Sequence, residues 1–370
     1  MNKYSESNPH MVTRLTYTED NCELTSTMAT TFENQTEPMT TNPIEVIHET
    51  TGSSMDASQS RGPVFYFQCA VVVTGYIGTA LNGLILYALV ASKQHKKQML
   101  IFHQNLLDFV GCFFLGTSYL VKLCGIDLNG NHGYWLCLTI MSEGSSWGPF
   151  ISSMINLLAI TIERYLKVVH PLWAKKKLRK WMIYLTIVFA WVGGTVIASA
   201  VTITTTGIVD GVCYTWVFWK SQAARMGYVI WYFLSFYVIV LFIFTFCYGR
   251  IFIAIRRQAR VMAAHGAAVS SAAQTQSKKI KTNVIKTMML VSVLFVITMT
   301  PTHIYTFLMF IDANVTLREA GFLALLFIAY LYICINPFIY ATNFDPVKCV
   351  LLGLIPCKKT TQAVESFEMT

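Results

Sequence analysis

From Phe65 onward the chain alternates between long apolar runs and short polar links, with runs near Phe65–Ala91, Met99–Leu123, Trp135–Val169, Trp181–Thr204, Gly227–Ile255, Val284–Phe310 and Leu317–Tyr340. Each exceeds the ~20 residues that a helix rising ~1.5 Å per residue needs to cross ~30 Å of hydrocarbon. The pattern predicts an all-α membrane protein, a seven-transmembrane helix bundle. The third run is longer than one crossing needs, which predicts tilt or an extension past the membrane. A short amphipathic stretch, Asp345–Pro356, follows the last run and predicts an eighth helix. The expected division is a disordered tail over 1–62, a transmembrane domain over 63–343, and an amphipathic helix with a short tail over 344–370.

Composition agrees with the pattern. Of 370 residues, 54% are hydrophobic and only 13% charged, too apolar for a soluble chain of this length. Residues up to about 60 are rich in Thr, Ser, Glu and Asn and carry no apolar run, so they lack the core of a cleavable signal peptide. The first membrane helix is therefore expected to target the chain. The net charge of +9 would suggest nucleic acid in a soluble protein. Here the basic residues sort by membrane side instead: with the N-terminus outside, 21 Lys and Arg fall inside and seven outside. The positive-inside rule then predicts a multi-pass membrane protein with its N-terminus outside and its C-terminus on the cytoplasmic side, with no nucleic-acid partner. Two glycosylation sequons, at Asn34 and Asn314, both fall outside in this arrangement. Of ten cysteines, Cys22, Cys124, Cys137 and Cys213 face the oxidising side. A Cys137–Cys213 bridge would tie the second outer loop over the bundle, and spacing leaves Cys124 as a competing partner. Cys349 and Cys357 lie in or beside the amphipathic stretch, where Cys357 is a palmitoylation candidate or a free thiol.

The chemistry concentrates where the third run ends, in Asn156–Pro171, NLLAITIERYLKVVHP. Glu163, Arg164 and Tyr165 close this helix, and Lys175, Lys176, Lys177, Arg179 and Lys180 follow. An ionisable residue at a membrane helix end beside a basic loop is a functional candidate; a snorkelling interfacial arginine is the plain alternative. Other polar residues recur one per run: Asn82, Asp108 in NLLDF, Trp191, Tyr248, Pro301, and Asn336-Pro337-Phe338-Ile339-Tyr340. Together, in this order, they resemble a divergent rhodopsin-class (class A) G-protein-coupled receptor over roughly residues 65–357.

The resemblance implies roles. Glu163, Arg164, Tyr165, Tyr248, Asn336, Pro337 and Tyr340 would form the coupling machinery for a heterotrimeric G protein. Asp108, Asn82, Ser153 and Asn336 would form a polar core, which in related receptors holds sodium. Tyr332, Ile333 and Met299 stand where the family usually has Asn, Ser and Trp around that pocket. A hydrogen-bonded knot that fixes helix packing is the alternative. Pro301 and Pro337 each remove a backbone donor, so both helices are expected to kink. Activation would swing the inner half of the sixth helix outward and bring Arg164 to Tyr248 and Tyr340. No acid stands opposite Arg164 in Lys278-Lys279-Ile280-Lys281, which predicts a weak resting lock and some basal signalling.

The expected ligand pocket is an aromatic, mildly polar set: Ser118, Tyr119, Ser146, Trp147, Phe150, Tyr232, Phe236, Thr302, His303, Thr306 and Tyr330. Ser146 sits where aminergic receptors carry Asp, which points to a peptide or a non-aminergic small molecule. Opsins carry a lysine in the seventh helix, whereas this chain has none between Arg318 and Lys348 and puts Tyr330 at that place, excluding a retinal Schiff base. No cofactor is expected. Lys122, Glu143 and Lys220 are expected at the pocket mouth. The Cys137 to Arg164 interval is two residues longer than the family's usual spacing and contains Pro149, so a bulge there would shift every position outward of it. Val240 replaces the family's fifth-helix proline. Arrestin and membrane lipid are further expected partners, arrestin through Thr360, Thr361, Ser366 and Thr370. An enzyme is not expected: there is no HExxH and the eight histidines are scattered. Nor is a transporter, since no internal repeat is visible. The rival is a seven-helix ligand-binding or decoy protein that does not couple to G protein.

Overall fold

The computed structural model describes residues 62–126, 128–264, 272–311 and 317–354. Its helices are α1 (Pro63–Ala91), α2 (Met99–Cys124), α3 (Gly130–Leu136), α4 (Gly144–Val169), α5 (Pro171–Lys177), α6 (Lys180–Thr205), α7 (Gln222–Phe233), α8 (Ile239–Ala264), α9 (Ala272–Ile311), α10 (Glu319–Asn343) and α11 (Asp345–Leu354). A π-helical turn, Cys137–Met141, joins α3 towards α4, and a second, Leu234–Val238, joins α7 to α8. Seven helical units among the described residues are long and apolar enough to cross a membrane, the third running Gly130–Val169 and the fifth Gln222–Arg257. The protein is a multi-pass membrane protein.

The bundle is organised as lipid-facing helices around a polar interior. On α6, Val188, Phe189, Val192 and Val196 are all more than half exposed and share one face at helical spacing. Such a stripe would be unfavourable in water and is neutral against lipid tails. Inside, Asn82, Gln104, Asn105, Asp108, Ser153, Asn156 and Asn336 are fully buried. α4 is the central column, packed against α2, α6 and α8, while α1 packs on α2 and α10. Without a hydrophobic drive between helices in lipid, close approach comes from small residues. A Cβ on Gly194 of α6 would lie 2.5 Å from the Ser152 backbone nitrogen and 2.8 Å from the Gly148 carbonyl oxygen of α4, so only glycine permits this crossing.

At one end, a two-stranded hairpin, β1 (Gly207–Val209) and β2 (Val212–Tyr214), lies over the bundle. Its two-residue turn, Asp210-Gly211, takes φ of 50° and 77°, the left-handed conformation that Asp-Gly supplies in tight hairpins. Cys213 is bonded to Cys137, with Cα atoms 5.5 Å apart; Cys124 is free and exposed. This settles the pairing that spacing left open. The glycosylation candidates Asn34 and Asn314, the palmitoylation candidate Cys357 and the tail phosphosites lie outside the described residues.

Candidate functional site

Three groups of polar residues lie along the interior. At the disulfide end, a cavity of about 250 Å³ opens between α2, α4, α7, α9 and α10 beneath the hairpin. Of the expected pocket residues, Tyr119, Trp147, Phe150, Tyr232, Thr302, His303, Thr306 and Tyr330 line it. The other three do not. Ser118 is fully buried and bonds back to the Phe114 carbonyl of its own helix at 2.8 Å. Ser146 donates to the Glu143 carbonyl at 2.8 Å, back onto the first turn of its own helix α4. Phe236 sits in the π-turn behind Tyr232, with ring centroids 5.2 Å apart.

Glu143 accounts for the change. The π-turn Cys137–Met141 and a break at Ser142–Glu143, where Glu143 takes φ 61°, absorb residues that an unbroken helix would carry round its axis. The break turns Glu143 inward, to 9% exposure. Its Oε1 accepts from Lys122 Nζ at 2.5 Å and its Oε2 from the Tyr330 hydroxyl at 2.6 Å. Tyr330 lies 3.2 Å from the Tyr119 hydroxyl, and Lys122 rests 4.4 Å over the Tyr119 ring. Two of the three groups expected at the pocket mouth are therefore a desolvated ion pair in its wall, locked by two tyrosines from α2 and α10. Lys220 is exposed and outside the cavity lining. Opposite this pair, His303 stacks between Tyr232 and Tyr237 at 5.7 and 5.3 Å and bonds through Nδ1 to the Met299 carbonyl at 2.9 Å. Its Nε2 has no hydrogen-bond partner.

Midway down, Asp108 accepts from Ser153 Oγ at 2.7 Å, Asn336 Nδ2 at 2.8 Å and Gln104 Nε2 at 3.4 Å. Gln104 also donates to Ser153 Oγ, and accepts from Asn156 Nδ2 at 2.9 Å. Asn82 does not reach Asp108; it donates to the Ile333 carbonyl at 3.2 Å and to Gly78 at 3.0 Å. The core thus ties α2, α4 and α10, with α1 joined through a backbone carbonyl. Gln104 and Asn156 were not singled out from the sequence. Helical spacing could have found them, since Gln104 precedes Asp108 by one turn and Asn156 follows Ser153 by three residues.

At the far end, Arg164 pairs with Glu163 at 3.1 Å and donates to Gln98 Oε1 at 2.6 Å, while Lys167 shares Glu163 at 2.6 Å. Tyr248 on α8 is engaged elsewhere: its hydroxyl lies 3.1 Å from Thr161 and 2.8 Å from Ser292, and donates to the Met288 carbonyl at 3.2 Å. Tyr165 turns to α8 and packs on Phe246 at 5.7 Å. Tyr340 is buried with an unpartnered hydroxyl, and Pro337 lies inside α10 as Pro301 lies inside α9. Asn283 bonds to Asp345 at 2.9 Å, clamping α9 to the start of α11. Among the described residues no group of three or more His, Cys, Asp or Glu could hold a metal ion.

A family model described as "7 transmembrane receptor (rhodopsin family)" matches residues 81–340. Among curated proteins, the chain is 25% identical to Melanopsin-A of Gadus morhua over 295 residues, covering 78% of this chain and 52% of that one. It is 26% identical to Melanopsin of Podarcis siculus over 298 residues, covering 78% and 61%. A shorter match, 33% over 111 residues, covers 29% of this chain and 31% of Probable G-protein coupled receptor 33 of Homo sapiens. The chain spans about half to three fifths of the length of the melanopsins it matches. Among solved structures, squid rhodopsin superposes with a TM-score of 0.63 at 17% identity, covering 80% of this chain and 87% of that one, a likeness of fold.

Proposed function

We infer the function from one premise: the chain belongs to the rhodopsin family of seven-transmembrane receptors. We propose that it is a cell-surface receptor with its N-terminus outside, taking an extracellular ligand into the cavity at the disulfide end and activating heterotrimeric G protein at the Arg164 end. The observation that carries this reading is the pairing of those two ends within one bundle. A mostly apolar cavity under a disulfide-tethered hairpin at one end faces, through the buried Asp108 core, a charged pair at the other.

The cavity's walls favour a small, largely apolar and aromatic ligand, or an aromatic side chain of a peptide. Glu143 already has Lys122 as its counter-ion, so the site offers no free carboxylate to a protonated amine. The ligand is held without a covalent imine to α10, because Tyr330 and not lysine lines the cavity from that helix. The residues that would hold a sodium ion here are Asp108, Ser153 and Asn336, whose Oδ1 has no hydrogen-bond partner; in the described arrangement Asn336 and Gln104 meet the carboxylate through nitrogen, and no step is derived through sodium.

In the described arrangement Arg164 is held by Glu163 and Gln98, and Tyr248 by Thr161, Ser292 and Met288. We propose that this is the uncoupled state. Coupling exchanges both sets, freeing Arg164 and Tyr248 for the cavity that opens as α9 moves. The test is ligand-free G-protein activation in transfected cells across the main G-protein families, comparing wild type with Arg164→Ala at matched surface expression. A basal signal lost in the variant supports the receptor reading. A basal signal that persists overturns the role of Arg164, and silence in both, maintained through a ligand screen, favours the non-coupling binder.

A further inference from the structure

A second cavity, of about 130 Å³, lies at the Arg164 end between the α1–α2 link, α4 and the start of α6. Five cations line it, Lys96, Lys97, Arg164, Lys167 and Lys180, against the single carboxylate Glu163. Glu163 is already shared by Arg164 and Lys167. Lys96, Lys97 and Lys180 make no ion pair among the described residues and are exposed. Arg164 differs from them: it is 8% exposed, and its Nε has no hydrogen-bond partner. The cavity is thus a concave, strongly cationic pocket with a largely buried guanidinium in its wall. It sits where helices α2, α4 and α6 begin or end, the level at which a membrane's headgroups meet the protein.

We propose that this pocket binds a multiply charged phosphate, of the kind a phosphoinositide headgroup or a soluble inositol phosphate presents. A single-charge headgroup would leave most of the cationic excess unmatched, whereas a bisphosphate reaches lysines from the link and from α6 at once. A phosphate seated there meets the lysines and the Arg164 guanidinium in the cavity wall and binds the α1–α2 link to α4 and α6. Occupancy then ties the position of Arg164 to the lipid composition of its leaflet. The site's chemistry does not depend on G-protein coupling.

The test uses the full chain in nanodiscs of phosphatidylcholine with graded phosphatidylinositol bisphosphate, or with phosphatidylserine at matched total charge, and measures bound lipid by native mass spectrometry. Wild type is expected to prefer the bisphosphate lipid. Lys96→Gln/Lys97→Gln/Lys180→Gln is expected to bind it roughly thirtyfold more weakly, while Lys175→Gln/Lys176→Gln/Lys177→Gln on α5, outside the cavity, stays within about twofold. Equal losses in the two variants, or no preference over phosphatidylserine, overturn the pocket in favour of diffuse surface attraction. If the cavity variant melts lower than wild type in phosphatidylcholine alone, Lys97→Gln is scored by itself, with roughly a threefold loss expected and no loss counting against the site. Inositol trisphosphate titrated onto detergent-solubilised protein separates the sources. Binding as tight as the lipid's identifies a soluble phosphate, and binding far weaker than the lipid's identifies the headgroup in its membrane.

Discussion

The Lys122–Glu143 pair offers the sharpest quantitative test of the structure, because the two single substitutions should differ. Both side chains are about nine-tenths buried, at 11% and 12% exposure. Lys122→Met strands the Glu143 carboxylate with neutral donors alone, the Tyr330 hydroxyl at 2.6 Å and the Tyr119 hydroxyl beside it. Leaving a buried charge without its partner costs about 3–5 kcal/mol. Glu143→Gln is milder, about 1–2 kcal/mol, because the amide keeps the Tyr330 contact and the freed lysine can extend outward while its stem stays on the Tyr119 ring. The double substitution removes both charges and should return most of the loss, since a neutral replacement of a buried pair is often close to neutral in energy. Melting can be followed by a fluorogenic maleimide. Cys124 and Cys349 are exposed and label at once, whereas the buried Cys112, Cys247 and Cys334 label only on unfolding. At ~2–4 °C per kcal/mol for a domain of this size, Lys122→Met should melt about 10 °C below wild type and Glu143→Gln about 4 °C below. If both singles melt within ~2 °C of wild type, the pair is a solvated rim contact and the inward turn of Glu143 is refuted.

Two further outcomes follow from single contacts. Gln98→Ala removes the 2.6 Å bond that holds Arg164 at rest, and a hydrogen bond to a charged group is worth ~1.5–3 kcal/mol, so ligand-free signalling should rise about tenfold. An unchanged basal signal at matched surface expression would reduce Gln98 to a packing role. Gly194→Ala drives a Cβ against backbone atoms of α4 and should cost about 1–3 kcal/mol in the same melting assay. The matched control is Gly249→Ala on α8, where a Cβ meets nothing within 4 Å; it should leave the midpoint unchanged or raise it slightly.

Much of the architecture is legible in one dimension because lipid makes the code simple. A helix must satisfy its own backbone in hydrocarbon, so length and apolarity suffice to count the spans, and Met99–Leu123 or Phe65–Ala91 differ from the observed helices by a residue or two. The Asp108 contacts with Ser153 and Asn336 were equally accessible, because a carboxylate in the middle of a span must find polar partners at its own depth. The pocket was legible in its aromatic character, carried by Tyr119, Trp147, Phe150, Tyr232 and Tyr330. Its rim was legible only in part: the lengthened Cys137–Arg164 interval points to a bulge, but hydropathy does not place the π-turn or say which side chain it turns inward. Glu143 and Ser146 lie about one turn apart, and it is the break at Glu143, with its φ of 61°, that puts the carboxylate and not the hydroxyl in the wall.

By itself, then, the sequence determined that this chain is a seven-helix membrane bundle, which helix carries each ionisable residue of the bundle, and at what depth. Those properties follow from local hydrophobicity and helical rise. Tertiary structure alone decided which charges meet: that Glu143 closes on Lys122 and Tyr330, that Arg164 rests on Gln98, and that Lys96, Lys97 and Lys180 converge on one cavity. Each of these joins residues from different helices, and its geometry depends on a broken turn, a link conformation or a close helix crossing that local hydrophobicity does not encode.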